Sequence, residues 1–322
     1  MKPQFYLTFA FLLLTAFAKA QKADTAQAIV HYKFTHLRDT TKRDSPYVEN
    51  MVLLIGKNAS VYKSYDRKLQ EERMRKSVQE QISNGTAMGG PIRVSSGGRT
   101  MGSSIEYFQF PNESKLVTKE RLVNSYLVHE TLPVLNWKIT SDTASFSGLA
   151  CQKATTHFKG RDYTAWFCSD LPYRAGPWKL NGLPGLIVEA YDAKKDVVFK
   201  FDGIEKIDAS AAAAPVASAA MGSGPGTRIV LNGMDDSRSN PNLIVLPANG
   251  IKATLKEIAD LKELMRKDPQ AYMQSQMAVL QAQMGVTLGG GGNVVGTPSF
   301  TVQKASASTV VINNPVELAE KK

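Results

Sequence analysis

Two cysteines, four histidines and a run of methionines carry the most distinctive chemistry in this chain. Cys151 and Cys168 are the only cysteines among 322 residues. A two-residue turn at Lys159-Gly160 sets Phe158 opposite Arg161, and counting outward from it sets Cys151 opposite Cys168. That pair falls at a non-hydrogen-bonded position, where facing side chains approach most closely, so a structural cross-strand disulfide is expected. The rival reading, a reactive or metal-binding thiol, finds no Cys-x-x-Cys and no closely flanking histidine in its support. His31, His36, His129 and His157 lie far apart in predicted strands. His31 and His36 have opposite parity, so they point to opposite faces of one strand, and all four read as surface or packed residues. No Gly-x-Ser-x-Gly elbow and no His-Glu-x-x-His occurs. The four-glycine run at 289–292 lacks the Lys-Ser/Thr of a phosphate loop and reads as a linker. No catalytic residue, metal ligand or cofactor is therefore assigned. Met273, Met277, Leu280 and Met284 fall on one face of a predicted helix, with Met265 one segment earlier. An apolar packing face is the plainer reading, and a thioether surface for Cu(I) is the sharper one.

The elements that must position these residues are mostly strands. Residues 28–37 alternate, with Val30, Tyr32 and Phe34 on one side. Residues 51–55 and 60–65 make a hairpin across Gly56-Lys57-Asn58, and a very polar helix follows over 66–83. A Gly-rich loop at 85–104 precedes strands at 105–110, 121–130 and 137–140, then the cysteine hairpin, then strands at 186–192 and 197–203. Connections this short make an antiparallel meander. Past a low-complexity stretch at 209–226 come apolar runs at 229–231 and 243–246. Thr254 and Glu257 form a capping box ahead of an amphipathic helix, Asp268-Pro269 starts another, and a last strand is expected at 309–312. The fold class is β-rich α+β, a curved antiparallel sheet or half-barrel of about seven to nine strands with helices packed on one face. Such a layout in other envelope proteins cradles a lipid chain, an analogy from architecture alone.

The chain opens Met1-Lys2-Pro3, continues with an uncharged apolar run over 5–17, and reaches Ala18-Lys19-Ala20. This reads as a cleavable signal at 1–20, too short to span a bilayer, with no cysteine after it for lipoprotein anchoring. The mature chain is expected in the periplasm or outside the cell, with no transmembrane anchor. Loss of Lys2 and Lys19 lowers the net charge from +10 to +8. A positive surface of that size favours anionic lipid, lipopolysaccharide or acidic polymers, while scattered basic residues do not suit nucleic acid.

Downstream of the hairpin stands Ala175-Gly176-Pro177-Trp178-Lys179-Leu180-Asn181, followed by Gly182-Leu183-Pro184-Gly185-Leu186-Ile187. With Cys151-Gln152-Lys153-Ala154, Phe158-Lys159-Gly160-Arg161, Ala165-Trp166-Phe167, the strand from Met51 to Gly56 and the ending Asn314-Pro315-Val316-Glu317-Leu318, this string resembles the GLPGLI family of exported proteins from Bacteroidota. The resemblance brings no assigned activity and no catalytic residue. It implies a GLPGLI-type β-rich domain over 21–208; the low-complexity stretch at 209–226 reads as a linker or insertion peculiar to this chain, and the C-terminal helices and last strand over 227–322 are expected to complete the same domain. Physically the motif is either a scaffold corner or a rigid ligand platform, with Leu183, Leu186 and Ile187 tucked into the sheet and Pro184 free to be cis. On the platform reading Trp166, Arg174 and an exposed Trp178 supply the recognition surface. The functional expectation is a non-enzymatic envelope protein that binds an apolar ligand, such as lipid, or a partner envelope protein. Its rival is a hydrolytic or metal-handling enzyme with a site assembled from distant residues.

Overall fold

A computed structural model describes residues 23–83, 102–207, 240–284 and 311–320. The signal at 1–20, the low-complexity stretch at 209–226, the run at 229–231, the glycines at 289–292 and all but 102–104 of the Gly-rich loop lie outside the described residues.

Alternating strand sequences dominate, and they assemble into one large open sheet. In chain order the strands are β1 Asp24–Thr25, β2 Ala28–His36, β3 Tyr47–Ile55, β4 Ser60–Ser64, β5 Ile105–Phe110, β6 Lys115–Arg121 and β7 Ser125–Thr131. They continue with β8 Lys138–Phe146, β9 Leu149–Phe158, β10 Arg161–Cys168, β11 Leu186–Asp192, β12 Val197–Lys206, β13 Leu243–Ile244 and β14 Ile251–Lys252. Twelve of them form a sheet ordered β14-β7-β6-β5-β4-β3-β2-β12-β11-β10-β9-β8, and β1 pairs with β13 in a separate two-stranded clip. All pairings are antiparallel except β14 with β7. The sheet is wider than the seven to nine strands expected. The expected strand at 121–130 is a turn followed by β7, and β6 before it escapes the hydrophobic pattern because its Lys119 and Glu120 are buried charges. Of the expected last strand, Val311 and Ile312 are exposed and unpaired in any sheet, and 309–310 lie outside the described residues.

The crossover from β7 to β8 dictates the curvature. Ten strand-to-strand steps separate these two in the sheet order, about 48 Å if the sheet were flat. The chain from Thr131 to Lys138 reaches only about 25 Å when fully extended. The sheet must therefore curl so that its two ends approach, yet it stays open, which is the β-rich half-barrel layout.

On the inner face Tyr32, Leu53, Tyr62, Tyr163 and Phe199 build the main core, and the chain between β10 and β11 joins it. On the outer face Val52, Leu54, Val61, Phe108 and Val117 form a second core with Ile244 of β13. Helix α1, Tyr65–Ser83, starts over this second core through Tyr65, and its Glu71 meets Arg121 at 2.8 Å. Helix α2, Leu255–Lys267, carries the expected capping box, Thr254 and Glu257 each accepting the other's backbone N–H. With α3, Pro269–Met284, it packs beside β7, where Ile258 joins Tyr126 and Val128. On the methionine face of α3, Met277 is exposed and Met273 half-buried. Tyr272 and Gln276 are buried, because Gln276 Oε1 accepts from both Tyr126 Oη and Asn124 Nδ2. No helix among the described residues is long and apolar enough to cross a membrane.

Candidate functional site

The cysteine hairpin is the frame on which the motif hangs. Lys159 and Gly160 both take positive φ, 51° and 68°, the two-residue turn that matches the twist of its strands. The register runs from Phe158↔Arg161 to Gln152↔Phe167, one step short of the cysteines. Cys151 and Cys168 are joined by a disulfide, with Cα atoms 4.2 Å apart. Gly185 abuts this frame so closely that a side chain there would collide with the Cys168 carbonyl, which is why the motif needs glycine at that position. Gly182 meets a different demand, a φ of +92°. The Leu183-Pro184 bond is trans, since no described residue has a cis peptide.

Beyond the hairpin the chain turns inward and fills the half-barrel. Leu186 N–H donates to Leu171 O and Ile187 N–H to Ala175 O, both at 3.0 Å, closing the segment into a loop. Leu180, Leu183, Leu186 and Ile187 are all at most 1 % exposed. Trp178 adopts a left-handed backbone, φ 56°, and drives its indole into the core, where it stacks on Phe199 at 6.2 Å and meets Phe158 at 5.5 Å. It is 3 % exposed, so the indole is a core residue and does not lie on the surface. Gln109 of β5 donates across the interior to the Trp178 carbonyl at 2.9 Å, and Tyr32 Oη donates to Ile187 O at 2.6 Å. Burial pushes the Tyr32 hydroxyl far above its ordinary pKa, so it stays a donor.

The other platform residues do not converge with Trp178. Alternation along β10 puts Trp166 on the face opposite Tyr163 and Ala165, where it packs on Phe146 at 5.6 Å, while Tyr163 touches the Trp178 indole. Arg174, Gly182 and Pro184 are exposed. What the motif does present outward is pinned to the β7–β8 crossover. Trp137 Nε1–H donates to Asn181 O at 2.7 Å, and Asn181 Nδ2–H donates to Pro133 O at 3.3 Å. Between these anchors Val134 stands 90 % exposed, with Leu135 half-buried beside it.

A second constellation locks the C-terminal ending onto the same hairpin. Buried Arg161 donates from Nη1 to Asp192 Oδ2 at 2.7 Å, from Nη2 to Asn314 Oδ1 at 2.7 Å and Pro315 O at 2.6 Å, and from Nε to Val316 O at 2.9 Å. Asn314 Nδ2–H donates to Leu37 O and Asp196 Oδ2, and its own carbonyl accepts from His36 Nε2 at 2.7 Å. Burial lowers the His36 pKa, which keeps the ring a neutral donor. Lys179, inside the motif segment, pairs with Glu317 at 2.7 Å. Burial raises the Glu317 carboxyl, but Lys179 and Lys159 outweigh it and hold the group below its ordinary value. Sequence reasoning gives no role to Arg161, Lys179 or Asp192; Arg161, Lys179 and the Asn314-to-Leu318 ending stand in the strings that carry the family resemblance, and His36 is one of the histidines read as surface or packed.

Among the described residues no group of three or more His, Cys, Asp or Glu side chains is arranged to hold a metal ion. His31 and His36 point to opposite faces, His129 is exposed, and His157 sits between Asp162 and Glu320 on the surface. The site is therefore a packed and hydrogen-bonded plug, with one rigid apolar patch on its outer side.

Residues 152–189, the hairpin and the motif together, match a family model described as a protein of unknown function, Porph_ging. No curated protein matches the chain. Two solved structures are similar, titled "Structure of PNGF-II in P21 space group" and "Structure of PNGF-II in C2 space group". The first is 15% identical with a TM-score of 0.38, covering 57% of this chain and 29% of that one. The second is 13% identical with a TM-score of 0.42, covering 72% of this chain and 32% of that one. This chain thus spans less than a third of either, and neither likeness bears on its activity.

Proposed function

We propose that this chain is an exported envelope protein of the GLPGLI type that holds a partner protein, with the motif as its internal scaffold. The observation that carries the reading is Val134, 90 % exposed on a crossover that Trp137 and Asn181 fasten to the buried motif. An apolar side chain held out on a rigid support binds without a large ordering penalty, which is how interface anchors work. The partner reading is preferred over a lipid cradle because Trp178, Leu180 and Leu183 occupy the inner face where an acyl chain would lie. Export to the periplasm or beyond is supported by the signal-like start and by the disulfide, which persists in oxidising compartments. Segments on both sides of 209–226 share the sheet and its cores, which supports one domain over 21–208 and 227–322.

A photo-reactive amino acid at position 134, expressed in the native host, tests this. One discrete protein adduct from the envelope, lost when Pro184→Asp is added at an exposed position of the motif, is the expected result. No adduct, or the same adducts in the variant, would remove the reading.

A further inference from the structure

The outer face carries a cleft of about 90 Å3 between the first turns of α1 and strands β2, β3 and β4. Strand register builds its floor in two rows. Ile29, Leu54 and Val61 stand side by side in one, and His31, Val52 and Lys63 in the next. Tyr65 and Lys68 of α1 close over them, and Ile29, Val52, Leu54, Lys63 and Lys68 all line the space.

The charges are unbalanced in a directed way. Lys63 and Lys68 make no salt bridge among the described residues, although both are half-buried. The one carboxylate lining the cleft, Glu205, is engaged by His31 Nε2 at 3.1 Å. Among the lining residues two ammonium groups face one carboxylate, an excess of one positive charge that a monoanion would meet, while Glu72, one turn along α1, supports Lys68 from outside the lining. Burial lowers the Lys68 pKa, and nearby Lys63 lowers it further against the opposing pull of Glu72 and Glu205. A carboxylate between the two amines reverses that strain.

The floor selects among monoanions. Its two rows lie two residues apart along the strands, roughly 7 Å, with Lys63 in one row, aliphatic side chains filling the other, and Lys68 of α1 lining the same space. The cleft is too small for a long acyl chain, and Ile29, Val52 and Leu54 in its lining offer nothing to the water shell of a hydrated inorganic ion. Its volume is that of roughly three waters, which suits a linear acid of about three to five carbons. We propose that this cleft binds a short-chain monocarboxylate, the carboxylate between Lys63 and Lys68 and the alkyl chain on Ile29, Val52 and Leu54. The site is independent of the partner patch at Val134.

Saturation-transfer NMR on the full mature chain tests it, with butyrate, butyramide, octanoate and inorganic phosphate as probes. Butyrate is expected to bind, Lys63→Gln and Lys68→Gln each to weaken it at least tenfold, and butyramide and octanoate to bind at least tenfold more weakly than butyrate. The amide comparison uses the unaltered protein, so it decides the matter even if a lysine variant misfolds. No transfer to butyrate, equal binding of butyramide, undiminished binding in both folded variants, or phosphate binding as tightly as butyrate would each overturn the assignment.

Discussion

The C-terminal ending and the helices α2 and α3 are fastened to the sheet in different ways. Around β9 to β12 the polar groups are buried and find their partners far along the chain: Arg161 reaches Asp192, Asn314 and Pro315 with side chains almost wholly out of water. Around α2 and α3 the pairs within the helices are local and exposed, such as Glu263 with Arg266 and Lys267 one turn away, and the polar ties to the sheet run through Lys262 to Glu120 and through Gln276 to Tyr126 and Asn124. Buried pairs are expensive to break because the remaining charge is stranded, whereas exposed pairs contribute little. The difference teaches that the motif region is the cooperative centre and the helical region its lightly attached neighbour.

The largest blow to that contrast is Arg161→Met, which strands the Asp192 carboxylate and frees the C-terminal ending. A loss of about 3–5 kcal/mol is expected in urea denaturation. Replacing both cysteines by alanine opens a loop of 17-residue separation, and about 3 kcal/mol should go with it. Thr254→Ala removes the cap of α2 at a cost of about 1 kcal/mol, read as lower helix content in circular dichroism with the sheet signal unchanged. If that variant melted the whole protein as thoroughly as Arg161→Met does, the two regions would not differ.

The smallest effect concerns pH, because two histidines hold the same ending with opposite signs. His36 has a lowered folded pKa, from burial, so its contribution is present above the unfolded value near 6.5 and is lost as pH falls through the folded one. His157 has a raised folded pKa, from hydrogen bonds to Asp162 and Glu320, so its contribution is present below about 6.5 and is lost as pH rises through the folded value. His157→Gln should therefore lower the melting temperature at pH 5.5 and leave it unchanged at pH 8.5. His36→Gln should make the melt less sensitive to acid.

Much of this architecture is legible in the sequence where the physics is local. Strands β5 and β11 occur at the expected residues because apolar alternation needs only neighbours to express it. The disulfide is legible for the same reason, since one tight turn at Lys159-Gly160 fixes the register of everything beyond it. Trp178 is not, because its burial depends on a left-handed backbone at a non-glycine residue and on Phe199 arriving from β12. The Arg161 clasp is hidden because its partner Asn314 lies 153 residues away. Strand β6 is hidden because Lys119 is paired with Glu106 inside the fold, a charge pattern that reads as surface when seen alone.

Native-state hydrogen exchange, resolved by residue, tests most directly whether the motif is the plug around which the sheet curls. The amides of Leu180, Leu186 and Ile187 should exchange only through global unfolding, as slowly as those of β10 and β11, while the amides of α2 and α3 open locally and faster. Motif amides that exchange ahead of the helices would contradict the account.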